Sequence, residues 1–157
     1  MRRIAITGHR GLSPDVERKV AHLLRAHLAA AGPGIVGLSC LADGADTLFA
    51  HAVLNLGGTL EAIVPAEEYR AGLPASHHVT YDDLLGRAAL VHHLPFLISA
   101  PEAHLAAGEY MVRHCDELTA VWDGAPARGP GGTADVVAYA RREGRPVTVL
   151  WPDGARR

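Results

Sequence analysis

The sequence predicts an α/β fold built on a mostly parallel sheet with helices on both faces. Two features carry that expectation. Short, β-branched apolar runs that end at Gly or Pro trade places with longer stretches of helical periodicity, an alternation that implies right-handed crossovers between parallel strands. Glycine-bearing loops stand directly after three of those runs, where an open parallel sheet turns its backbone toward ligands.

Segment 3–7 is short, apolar and punctuated by Gly8, as an interior parallel strand would be. Ser13 suits an N-cap and Pro14 a first helical position. Val16, Val20, Leu23, Leu24 and Leu28 then follow at helical spacing until Gly32-Pro33-Gly34 stops the pattern. A strand over 35–40, a helix over 44–56 ended by Gly57-Gly58, and a strand over 60–64 ended by Pro65 continue the alternation. Further on, a helix is expected within 102–114, a strand over 118–122, a helix over 133–143 and a strand over 147–151. Between 66 and 101 the prolines Pro74, Pro95 and Pro101 break the period, leaving a helix near 81–89 and a short strand over 90–94 as expectations. No repeat, low-complexity tract or linker divides the chain, so one three-layer, Rossmann-like domain over 1–157 is expected.

Composition narrows the function classes. At 48% hydrophobic and 20% charged residues the chain has the make-up of a packed globular protein. Its net charge of −2 comes from interspersed Arg, Asp and Glu with no basic stripe, which argues against nucleic acid as a partner. The apolar run after Met1-Arg2-Arg3 is broken at Gly8-His9-Arg10, so neither export nor a membrane span is expected. Cys40 and Cys115 form no C-x-x-C pair and sit in or beside apolar segments, which fits a reducing cytoplasm. Leu, Val and Ala on the middle helices would serve a homo-oligomer as readily as a core.

The strand-end loops hold the candidate chemistry. Gly131-Gly132-Thr133 opens a helix, so its backbone amides, the helix dipole and the Thr133 hydroxyl would suit a phosphate, although glycines also serve a plain tight turn. Gly8 and Gly44 lie in the two other converging loops. Arg10 is either a bidentate cation for a phosphate or carboxylate or half of a surface ion pair. Asp43 and Asp46 bracket Gly44-Ala45, with Asp43 expected to cap the helix and Asp46 to accept hydrogen bonds from a ribose or base. His9 could donate to a ligand or titrate near neutral pH, and Asp123 begins the loop after the fifth strand. His92-His93 and His77-His78 lack the i, i+4 spacing of metal ligands. No metal and no cofactor is therefore expected, and neither a nucleophile elbow nor a Walker A sequence is present.

Read together, several of these runs resemble one family. Tyr110-Met111-Val112, Cys115 through Gly124, Gly131-Gly132-Thr133 and Gly144-Arg145-Pro146-Val147 resemble the C-terminal half of SLOG superfamily proteins, the Rossmann-like relatives of the LOG phosphoribohydrolases and DprA. Thr7-Gly8-His9-Arg10 and Ala42-Asp43-Gly44-Ala45-Asp46 are similar to the first and second motifs of the YpsA-like branch. The resemblance implies a nucleotide-derived ligand, with Gly8, Gly44, Gly131, Gly132 and Thr133 lining a phosphate and ribose pocket. LOG enzymes and nucleoside deoxyribosyltransferases carry a glutamate three residues after the threonine of the glycine turn. That position is Val136 here, and Asp135 would point about 100° away on a helix. Two functions follow as expectations: binding or sensing of a nucleotide-derived molecule without strong catalysis, or cleavage of a nucleotide N-glycosidic bond with Asp135, Asp123 or Asp46 in place of the glutamate.

Overall fold

A computed structural model describes residues 1–127 and 132–157. Six strands run in chain order as β1 (Arg3–Gly8), β2 (Val36–Ser39), β3 (Thr59–Val64), β4 (Leu90–His93), β5 (Glu117–Val121) and β6 (Val147–Leu150). The helices are α1 (Pro14–Ala30), α2 (Ala45–Asn55), α3 (Tyr69–Gly72), α4 (His78–Arg87), α5 (Pro101–Arg113) and α6 (Thr133–Arg142), with a 3-10 turn at Ala75–His77. The sheet has the order β4-β3-β2-β1-β5-β6, and every neighbouring pair is parallel.

Strand alternation sorts the side chains between two cores. Ile4 and Ile6 of β1 face α1 and α2, packing on Val20, Leu24, Phe49 and Val53. Ala5 between them faces α5 and α6 with Met111, Val112 and Val136. Because successive residues of a strand point to opposite faces, a strand covered on both sides must be apolar at its centre, and the Ile4-Ala5-Ile6 centre of β1 is.

The start of α1 follows its local chemistry. Ser13 Oγ accepts a hydrogen bond from the Val16 N–H at 3.3 Å, and Pro14 takes a first-turn position where no N–H is needed. Val16, Val20, Leu24 and Leu28 form the buried stripe at i, i+4 spacing, while Leu23 sits partly buried at its edge.

The stretch with many prolines contains more structure than its periodicity predicts. The four-residue α3 and the 3-10 turn are too short to show a helical period, and α4 begins three residues before the expected start because the 3-10 turn runs directly into it. No helix among the described residues is long and apolar enough to cross a membrane.

Candidate functional site

The chain leaves β1 toward β2 on one side, while β5, paired with β1 on the other, leads outward to β6. Loops therefore diverge between β1 and β5, and a crevice opens at their C-terminal ends, as it does in doubly wound sheets. A cavity of about 330 Å³ occupies this position. Gly8, His9, Arg10, Asp46, Gly132 and Thr133 all line it. Gly131 lies outside the described residues.

Two glycines let the β1 and β2 loops meet. Gly44 has φ +87°, and a Cβ there would stand 2.6 Å from the His9 carbonyl oxygen and 2.9 Å from Arg10 Cα. At Gly8 a Cβ would collide with Ala45 Cβ and approach Val121 Cβ to 2.9 Å. The close approach is secured by the Ala45 N–H, which donates to the His9 carbonyl at 3.2 Å. Gly44 thus shapes the site from behind, whereas Gly8 also forms part of its wall.

Asp43 does not cap α2. The N-cap residue is Gly44, without a side-chain cap. Asp43 instead receives Arg10, its Oδ1 lying 2.9 Å from both Nε and Nη2, and its Oδ2 accepts the Gly11 N–H at 3.2 Å. The carboxylate is drawn to a guanidinium and a loop amide across the loops, a stronger set of partners than one helix N–H. Arg10 is accordingly both cavity lining and half of an ion pair.

Asp123 is also one layer removed. It lies 3.2 Å from His9 Nε2 through Oδ1 and 3.2 Å from Arg157 Nε through Oδ2. Partial burial pushes its carboxyl up, but the Ala125 N–H, His9 and Arg157 outweigh that and hold it below the usual carboxylate range. Arg157 Nη1 reaches His9 Nδ1 at 3.2 Å, and the His9 ring meets Trp151 edge-on at 5.3 Å.

Asp46 is the carboxylate that faces the cavity among its described lining residues. Burial pushes its pKa up to about 7, against the Ala42 N–H and Arg10, which lower it, while Asp43 adds to the rise. Its Oδ2 accepts the Ala42 N–H at 3.2 Å. Val136, at the position where the resemblance to LOG enzymes implies a glutamate, lines the cavity with its side chain against Gly108. Asp135 is not among the lining residues.

Several lining residues were not picked out from the sequence: Thr7, Cys40, Tyr69, His104, Met111 and Arg157. Tyr69 belongs to the short α3, His104 and Met111 to the interior of α5, and Arg157 is brought back to the β1 loop by tertiary contacts. No local pattern marks Cys40, Tyr69, His104 or Arg157, whereas Thr7 and Met111 fall within runs that carry the family resemblance. Thr7, Tyr69 and Thr133 are each 9% exposed or less. Their hydroxyls have no hydrogen-bond partner among the described residues and adjoin the cavity. Three hydroxyl-bearing residues around one cavity give it hydrogen-bonding capacity that an apolar packing defect lacks.

No protein-family model matches the chain, and no curated protein does. Solved structures do match it. DNA processing protein A (DprA) from Streptococcus pneumoniae superposes with a TM-score of 0.68 at 19% identity, covering 95% of this chain and 50% of that one. DprA from Helicobacter pylori also gives 0.68 at 19% identity, covering 99% of this chain and 66% of that one. The molybdenum cofactor binding protein of Rippkaea orientalis gives 0.64 at 18%, with coverages of 97% and 77%. The chain shares the Rossmann-like fold of these proteins. It spans half to two thirds of the length of the DprA proteins.

The likeness to DprA corrects one expectation. Nucleic acid was excluded as a partner on charge, yet the H. pylori DprA of the same fold is described by its single-stranded DNA binding mode. A net charge averages over the whole surface, whereas a single strand is held by a local groove and by stacking of its bases. A net charge of −2 therefore does not by itself exclude a nucleic acid partner.

Proposed function

We propose that this chain binds a nucleotide-derived, phosphate-bearing molecule in the crevice between the ends of β1 and β5, without strong catalysis of its own. The observation that carries this reading is the placement of Thr7 and Thr133 in the same cavity as Arg10, Arg157 and the start of α6. Hydroxyl donors, two guanidinium groups and a helix N-terminus are the groups that stabilise an oxyanion. Val136, in place of a carboxylate, removes the group that would stabilise an oxocarbenium ion or attack an anomeric carbon. Neighbours of the same fold include a protein named for binding a molybdenum cofactor and one described with single-stranded DNA.

Calorimetry with the 5′-monophosphates of adenosine, guanosine, cytidine and uridine, alongside a short single-stranded oligonucleotide, tests the reading. Saturable binding of at least one monophosphate supports it. Binding of the oligonucleotide alone would move the function to single strands, and no heat from any monophosphate would end the small-molecule reading.

A second reading, N-glycosidic cleavage, is favoured by Asp46. With its pKa near 7, this cavity carboxyl is partly protonated at neutral pH, as a general acid requires. Release of free base from a monophosphate, lost in Asp46→Asn, would establish it.

A further inference from the structure

We propose that the β3 end of the crevice reads the ring of the ligand, the hydroxyl of Tyr69 hydrogen-bonding an uncharged nitrogen heterocycle whose phosphate lies at the start of α6. The proposal rests on the nucleotide reading above and adds which part of the ligand goes where.

The cavity runs along the C-terminal edge of the sheet, from Pro65 after β3, past Cys40 after β2 and Gly8 after β1, to Thr133 beyond β5. Three strand spacings separate its ends, about 14 Å. The two ends differ in charge. Arg157, Thr133 and the start of α6 stand at the β5 end, while the β2 and β3 side presents Cys40, Tyr69, His104 and Asp46.

The groups on that second side are hydrogen-bonding but mostly uncharged. Burial pushes the Cys40 thiol and the Tyr69 phenol well above their ordinary ranges, so neither ionises near neutral pH. Burial and the nearby Arg10 guanidinium lower the pKa of His104, which keeps its imidazole neutral. Its Nε2 lies 2.8 Å from Ser99 Oγ. When ionised, Asp46 repels a phosphate from this side, and Arg10 stands between the two ends.

Tyr69 is the reader. It is 4% exposed, and its ring is held edge-on by Tyr81 and His104, each at 5.9 Å between centroids. A ring fixed by two neighbours cannot turn its hydroxyl away, and that hydroxyl has no partner among the described residues. A ring nitrogen or exocyclic group would satisfy it, with Pro65 and Met111 giving apolar contact to a flat face. A charged group placed here would be left uncompensated.

Calorimetry on wild type, Tyr69→Phe and Thr133→Ala, using the four nucleoside 5′-monophosphates and ribose 5-phosphate as probes, tests the assignment. Tyr69→Phe removes one hydroxyl and keeps the packed ring. It should raise Kd for the preferred monophosphate about three- to tenfold while leaving ribose 5-phosphate within about twofold, the loss of one neutral hydrogen bond to the ring alone. Thr133→Ala should weaken both probes by the same factor. Equal loss for both probes in Tyr69→Phe, or no loss, overturns the ring assignment. So does wild-type protein that binds ribose 5-phosphate as tightly as every monophosphate, although the phosphate site then stands. Failure of wild type to bind any of the five probes removes both readings together.

Discussion

The Asp43 carboxylate grips Arg10 through Oδ1, 2.9 Å from both Nε and Nη2, and at the same time holds the Gly11 N–H through Oδ2. The guanidinium therefore enters the crevice already oriented, its conformational freedom spent on folding rather than on binding. Replacing Arg10 by Ala should weaken a phosphorylated ligand by about 1.5–3 kcal/mol, the range for a charge-assisted hydrogen bond. Because the Arg10 side chain is 45% exposed, the same change should alter stability by less than about 1 kcal/mol. Calorimetry and urea unfolding separate the two effects, and unchanged affinity would leave Arg10 as a surface ion pair only.

The turn into α6 should tolerate a side chain in the fold but not in binding. Gly132 has φ −71° and ψ 173°, extended backbone that any residue can adopt, so Gly132→Val is expected to fold. Its side chain would occupy the space a phosphate needs against the first turn of α6, and nucleotide binding should be abolished. Thr133→Ala should only weaken it, by about 0.5–1.5 kcal/mol. Calorimetry with circular dichroism as the folding control decides between them, and wild-type affinity in folded Gly132→Val would put the phosphate elsewhere.

Gly44 should behave in the opposite way. With φ +87° and a Cβ position 2.6 Å from the His9 carbonyl oxygen, Gly44→Ala combines a strained backbone with a collision against the β1 loop. A loss of about 1–3 kcal/mol in urea unfolding is expected. A variant as stable as wild type would mean that the two loops can separate without cost.

Asp46 makes stability depend on pH. Its pKa is raised from 3.8 to about 7 by burial, so between those values the folded protein binds more protons than the unfolded chain. The contribution is fully present below the ordinary carboxylate value and is lost as pH rises toward 7. Wild type should lose on the order of 1–3 kcal/mol relative to Asp46→Asn between pH 4 and pH 7.5. Unfolding at several pH values checks this, and parallel profiles for the two proteins would show that Asp46 is well solvated.

How much of this was legible in the sequence depends on the range of the interaction concerned. The strand punctuated by Gly8, the Ser13-Pro14 start of α1 and the start of α6 at Thr133 each rest on neighbours a few residues apart, and each could be read directly. The short α3 and the 3-10 turn could not, because fewer than two helical turns leave no period to detect. Asp43 was read as a cap because capping is the local option. Its actual partner, Arg10, lies 33 residues away in the chain.

What the sequence alone determined was the alternation of strands and helices, and with it that Gly8 would end a strand while Gly44 and Gly132 would stand at the starts of the helices that follow strands. Only the tertiary structure decided which of those positions adjoin. The order β4-β3-β2-β1-β5-β6 places the divergence between β1 and β5, so Thr133 and Arg157 come to the same cavity as Tyr69 and Asp46. The physical reason is that hydrophobic periodicity records which face of an element is buried, whereas strand order and the pairing of distant side chains arise from the packing of whole elements against one another. Tyr69, set on a helix of four residues, acquires its place in the crevice from that packing alone.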